Sequence, residues 1–158
     1  MLNCKAGIEQ CTISGRFEKL SGNTDKGPEL YIDSAHTPEA YTLLFDTIAD
    51  NFNDKPLIFI AGISQGRDNQ LLADNLKALG SEIIVTKAHF RGADPQELFT
   101  ALKTTSNVSL KADLSEALKL AKQKAQLVDG RIFVVGGLFL AREVAAIEND
   151  VKLTDLYL

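Results

Sequence analysis

The residues with chemical potential in this chain sit where short apolar runs end. Asp33-Ser34-Ala35-His36-Thr37 follows Leu30-Tyr31-Ile32 and gathers a carboxylate, two hydroxyls and an imidazole ahead of an amphipathic stretch. At a strand end facing a helix N-terminus, free amide N–H groups favour anions, and a histidine beside them can hydrogen-bond a phosphate. The same residues also make a capping loop, with Thr37 as cap, Pro38 in the first turn and His36 merely exposed. Spacing alone ranks the capping loop ahead. Gly62-Ile63-Ser64-Gln65-Gly66-Arg67-Asp68 follows the next apolar run. Such turns often approach phosphates, but this one is neither GxGxxG nor GxxxxGK[ST], and a simple tight turn accounts for it. In Thr86-Lys87-Ala88-His89-Phe90-Arg91 the planar fork of Arg91 suits a carboxylate; a solvated loop with an incidental arginine is an equal alternative. Gly136-Gly137 lets backbone come close to a ligand, a helix or a turn, because neither residue carries a Cβ. Arg16, on an early polar segment, reads by itself as surface decoration.

Several chemistries are excluded. No Ser-His-Asp arrangement can be assembled, since Ser34 and His36 share one loop and nothing marks a nucleophile elbow. No HExxH, CxxC or EF-hand pattern occurs, so no metal site is expected. Without a P-loop sequence the chain has no evident means of holding ATP phosphates and magnesium by itself. Cys4 and Cys11 lie in a polar segment and read as free thiols. The net charge of −4, with basic residues scattered, argues against nucleic acid and anionic membrane as partners. No apolar run reaches membrane-spanning length, and the first residues lack a signal-peptide stretch, so a cytoplasmic location is expected.

These loops need a scaffold, and the pattern between them supplies one. Leu30–Ile32, Leu57–Ala61, Ile83–Val85 and Ile132–Val135 are short, β-branched or aromatic, and nearly free of charge, which suits strands buried on both faces of a parallel sheet. Helical stripes alternate with them over 38–52, 67–79, from Asp94-Pro95 through Leu98 and Leu102, over 112–128 and over 139–147, with Gly80 expected to stop the second. The turn-rich Ser21–Pro28 segment predicts an antiparallel hairpin joining 12–20 to 30–33. The expected fold is therefore α/β: a Rossmann-like, doubly wound, mostly parallel sheet with an antiparallel edge hairpin and helices on both faces. Ligands of such folds gather at the carboxyl ends of the strands.

Taken together and in order, SGRFE, IDSAHTPEA, AGISQGRD, IIVTKAHFRGADP and VVGGLFLAREV resemble the C-terminal domain of folylpolyglutamate synthase, often fused with dihydrofolate synthase activity in bacteria, and more broadly the Mur ligase superfamily. The family forms are PGRFE, [LI]DGAHNP, a turn ending in KD, T…R, and GSLYLAGEV. The resemblance implies that residues 12–158 are this domain and 1–11 a remnant of an interdomain linker. It implies nucleotide contacts from Arg16, Asp33 and His36, and contacts to glutamate or substrate from His36, Ser34, Arg91 and Gly137. Arg67-Asp68 falls at the KD pair, and Thr86 with Arg91 at the T…R segment. Two positions depart: Gly137 stands where the family has serine, and Ser34 where it has glycine.

The implied reaction is ATP-dependent amide formation. A carboxylate on the folate attacks the γ-phosphate, and the amino group of L-glutamate captures the acyl phosphate. ATP, magnesium and the folate or dihydropteroate substrate would be held mainly by an N-terminal ATPase domain, without which this chain is expected to be inactive; the family suggests a monomer. Two alternatives stand beside this reading: the C-terminal domain of another Mur-type amino-acid ligase, and a non-catalytic Rossmann-like binding module.

Overall fold

The computed structural model describes residues 15–21, 27–79 and 82–157. Both cysteines, the start of the hairpin arm, most of its turn and Gly80 lie outside the described residues. Six strands form one sheet: β1 (Glu18–Ser21), β2 (Leu30–Ile32), β3 (Leu57–Ala61), β4 (Glu82–Val85), β5 (Val108–Leu110) and β6 (Arg131–Val135), in spatial order β1-β2-β6-β3-β4-β5. All neighbours pair in parallel except β1 with β2, whose register shifts between Lys19 and Ser21. The five described α-helices are α1 (Pro38–Asn51), α2 (Asn69–Leu79), α3 (Pro95–Ala101), α4 (Leu114–Val128) and α5 (Leu138–Glu148).

The strands are continuous apolar runs because both faces are covered. Alternate residues of β3 divide between two cores: Leu57, Phe59 and Ala61 pack under α1, α2 and α3, whereas Ile58 and Ile60 pack under α4 and α5. The chain moves outward along the sheet from β3 to β5 on one face. It then returns under α4 to place β6 between β2 and β3. Loops leaving β6 and its two neighbours therefore depart to opposite faces, which opens a crevice at their carboxyl ends. Side-chain caps fix the helix starts there: Thr37 Oγ1 accepts from Ala40 N, Asp94 from Gln96 N and Asp113 from Glu116 N.

The strand β5 is a correction to the sequence reading, which expected none between α3 and α4. It is three residues long, sits at the sheet edge, and carries only half-buried side chains with Ser109 in the middle. Pairing with β4, rather than an apolar run of its own, makes it a strand.

At the amino end of the sheet Arg131 ties three elements. Its guanidinium bonds Glu29 and Asp54, it lies 5.3 Å from the Phe52 ring, and Lys19 meets Glu29 at 2.7 Å. Hydrogen bonds from Lys19, and then Arg131, hold the Glu29 carboxyl below its ordinary value of 4.5. A depressed folded value means that the stabilisation is present above pH 4.5 and is lost as pH falls through the folded value. Arg131→Met is expected to cost about 1 kcal/mol at pH 7. It should also flatten the acid limb of a stability–pH curve measured by urea denaturation; an unchanged acid limb would contradict the assignment.

Candidate functional site

The carboxyl end of β2 opens into a cleft of about 450 Å³. Its polar rim is formed by Arg16, Asp33, Ser34, His36 and Thr37, and its apolar wall by Phe17 with Leu43 and Leu44 of α1. Four of the residues singled out in the sequence thus converge, although Arg16 lies 17 positions before Asp33 in the chain.

Asp33 brings them together. Its Oδ2 accepts from Phe17 N at 2.9 Å and its Oδ1 from Ala35 N at 2.6 Å, while Ser34 N donates to Gly15 O at 2.7 Å. These bonds hold the 15–17 turn in a left-handed conformation, with φ of 81° at Gly15 and 45° at Phe17. For Phe17 that backbone costs about 1 kcal/mol. The Phe17 ring offsets the cost by packing 5.3 Å from Phe52 and 5.7 Å from Tyr31. Arg16, between two fixed residues, is left exposed at the cleft mouth.

His36 is oriented by its own loop. Nδ1 lies 2.9 Å from Ser34 O. A carbonyl only accepts, so Nδ1 carries the proton, and on this exposed residue Nε2 has no hydrogen-bond partner among the described residues. Thr37 is occupied as the helix cap and His36 is exposed beside it, as the capping-loop reading expects. Behind it Tyr41 is buried, and burial pushes its hydroxyl up to about 12.

Arg91 and Gly137 do not line this cleft; they belong to the neighbouring strand ends. The loops after β3 and β4 are joined by an antiparallel bridge between Ser64 and Gly92, by Gln65 N donating to Arg91 O at 2.9 Å, and by Ala93 N donating to Ile63 O at 2.8 Å. Arg91 itself has φ of 53° and its guanidinium lies 5.5 Å from the Phe90 ring. Gly136 answers the question its sequence left open: an added Cβ would sit 1.8 Å from Gly62 O, so the close approach is to a neighbouring loop. Gly137 opens α5 without a side-chain cap, and the nearest atom to a Cβ there would be Ser64 Oγ at 3.3 Å. Ser64 thus places a hydroxyl beside Gly137.

Sequence reasoning missed Leu43, Phe17 and Glu143. Leu43 is 71% exposed at the cleft rim, and its position off the apolar stripe of α1 was the available signal. Glu143 is fully buried in α5, and its carboxylate accepts from His89 N at 2.6 Å and Phe90 N at 2.8 Å.

The cleft can hold an anion against Arg16 and His36 with an apolar group beside it. It contains no paired base and nucleophile. Among the described residues no group of three or more His, Cys, Asp or Glu side chains could hold a metal ion. The described residues thus offer no ready-made cluster for a magnesium ion. Nor is any helix among the described residues long and apolar enough to cross a membrane.

Fold and cleft together define a Rossmann-like α/β domain with a cleft at the carboxyl end of a strand. The model of the Mur ligase glutamate ligase domain matches residues 15–138, and the chain belongs to that family. The folylpolyglutamate synthase of Mycobacterium tuberculosis complexed with ADP and AMPPCP superimposes with a TM-score of 0.76 at 22% identity, over 90% of this chain and 33% of that one. Curated relatives include the UDP-N-acetylmuramoyl-L-alanyl-D-glutamate–2,6-diaminopimelate ligase of Phocaeicola vulgatus, 28% identical over 79% of this chain. They also include the dihydrofolate synthetase of Saccharomyces cerevisiae, 24% identical over 85% of it. The chain spans 27% and 33% of the lengths of these two relatives.

Proposed function

We propose that this chain is the glutamate-placing domain of an ATP-dependent folylpolyglutamate or dihydrofolate synthase, acting with a separate P-loop domain. The observation that carries the reading is the convergence of Arg16, Asp33, Ser34 and His36 around one cleft at a strand end. In the proposed reaction a folate carboxylate oxygen attacks the γ-phosphorus of ATP and ADP leaves. The amine of L-glutamate then attacks the acyl carbon, phosphate departs, and the nitrogen loses a proton. Arg16 and Nε2 of His36 meet phosphate charge, and Phe17 with Leu43 offers an apolar wall to the nucleotide. Asp33 fixes the turn bearing Arg16. Ser34, Arg91 and the open backbone at Gly137 face L-glutamate. Most of the rate advantage in such a transfer comes from placement and charge stabilisation.

A second reading, a ligase that adds an amino acid to a cell-wall precursor, is favoured by the similarity to the diaminopimelate ligase. The test uses the full-length protein containing this chain, or the chain with a P-loop half supplied in trans. Phosphate release is followed with L-glutamate plus dihydropteroate or tetrahydrofolate, and separately with a UDP-muramoyl peptide plus diaminopimelate. Turnover with folate acceptors, lowered about 100-fold by His36→Ala, is the expected result. Turnover only with the muramoyl peptide would replace the folate reading by the second one.

A further inference from the structure

Glu143 is a carboxylate with 0% exposure, on a helix face otherwise occupied by Leu140, Val144 and their apolar neighbours. A buried charge is costly unless fully hydrogen-bonded, and an apolar residue of similar volume often does as well or better for stability. Here the carboxylate is met by amides rather than by a cation. Oε2 accepts from His89 N at 2.6 Å; Oε1 accepts from Phe90 N at 2.8 Å and from the Tyr157 hydroxyl at 3.1 Å. Short bonds to a charged acceptor are strong and directional. They fix the two residues immediately before Arg91. The next contact along the chain, Gln65 N to Arg91 O, fixes the other side. Arg91 is thereby held at φ of 53°, a conformation its side chain does not favour.

The chain's last described segment completes the support. Tyr157 stacks on Phe90 with ring centroids 4.3 Å apart, and Phe139 packs edge-on to Phe90 at 5.1 Å. Arg142 donates to Leu156 O at 3.1 Å and lies 5.4 Å from the Tyr157 ring, which ties this segment down to α5.

We infer that Glu143, backed by Tyr157, is a positioning residue that holds Arg91 in place as the arm that binds a carboxylate of L-glutamate. The inference rests on the proposed function for the identity of the ligand, and on geometry alone for the support. Its cost in buried charge is intelligible if loop geometry, rather than stability, is what the carboxylate secures.

The experiment is a titration of the full chain with L-glutamate, followed by NMR at the Arg91 Nε–H where Arg91 is present and at the loop amides in every variant. Glu143→Gln, Tyr157→Phe and Arg91→Ala are compared with the natural sequence. Amide exchange at His89 and Phe90, AMPPCP affinity and urea stability are followed in parallel. Glu143→Gln has one acceptor oxygen for two loop amides, so faster exchange at one of them is expected. The positioning role predicts L-glutamate affinity about tenfold weaker in Glu143→Gln, unchanged AMPPCP affinity, and no further loss when Glu143→Gln is added to Arg91→Ala. An Arg91 resonance that ignores L-glutamate in the natural sequence would overturn the inference. So would faster loop exchange with L-glutamate affinity intact, or equal losses of both ligands. If Arg91 responds as expected but no acceptor supports amide synthesis with a P-loop half, the ligase reading fails while the positioning role stands.

Discussion

Gly136→Ala is expected to cost about 4 kcal/mol or more, a large share of the roughly 5–15 kcal/mol that holds an ordinary domain folded. The new Cβ would lie 1.8 Å from Gly62 O and 2.8 Å from Gly62 C, and the backbone at 136 has φ of 122°. Nothing flexible is available to move aside. Gly62 N donates to Val135 O, and a Cβ on Gly62 would itself meet Thr86 O at 2.6 Å. The carboxyl ends of β6, β3 and β4 are thus stacked backbone on backbone, and displacing one displaces all three. Gly66→Ala is the matched control: φ is 77° but no atom lies within 4 Å of its Cβ, so about 1 kcal/mol for the left-handed backbone is the whole effect. Gly137→Ala should fall between, because its nearest neighbour is the rotatable Ser64 hydroxyl at 3.3 Å. Urea denaturation of the three variants checks the order. A Gly136→Ala chain as stable as Gly66→Ala would show that the strand-end stacking is loose.

The same packing explains which parts of the molecule could be read from its sequence. Strands with both faces covered must be apolar throughout, so β2, β3, β4 and β6 announced themselves, and the stripes of α1, α2, α4 and α5 did so by their spacing. β5 is held by one neighbour at an edge, and a short half-polar run there looks like a loop. Within the site, Asp33, Ser34 and His36 were legible because they are local and precede a helix start. The joining of Arg16 to them was legible only through family resemblance, since it depends on hydrogen bonds between loops far apart in the chain. Glu143 was invisible for the same reason: its loop partners lie 54 and 53 positions away. One local sign existed, a glutamate at helical spacing from Leu140 and Ile147 on an otherwise apolar face.

Asp33→Ala should lower stability by about 3 kcal/mol and abolish nucleotide binding together, because one carboxylate serves both ends of the cleft. The substitution leaves the Phe17 and Ala35 amides without their acceptor in a half-buried place. Each orphaned donor costs about 1–3 kcal/mol, less whatever water recovers. The 15–17 turn would then relax from its left-handed backbone, and Arg16 would leave the cleft mouth. Asp33→Asn separates the two roles. Asparagine offers one acceptor oxygen, so it can keep one amide while its NH₂ faces the other donor, and about half the stability loss is expected. Arg16→Ala should leave stability within about 0.5 kcal/mol, as exposed surface changes do, while weakening AMPPCP binding. Urea denaturation and AMPPCP titration of the three variants read both effects. If Asp33→Ala lost affinity at full stability, Asp33 would be a ligand contact alone, and the 15–17 turn would have to be held by Phe17 packing instead. If stability fell while affinity held, the cleft would not be the nucleotide site. Loss of both, with Arg16→Ala losing affinity alone, is the pattern required of a carboxylate that shapes the cleft and an arginine that uses it.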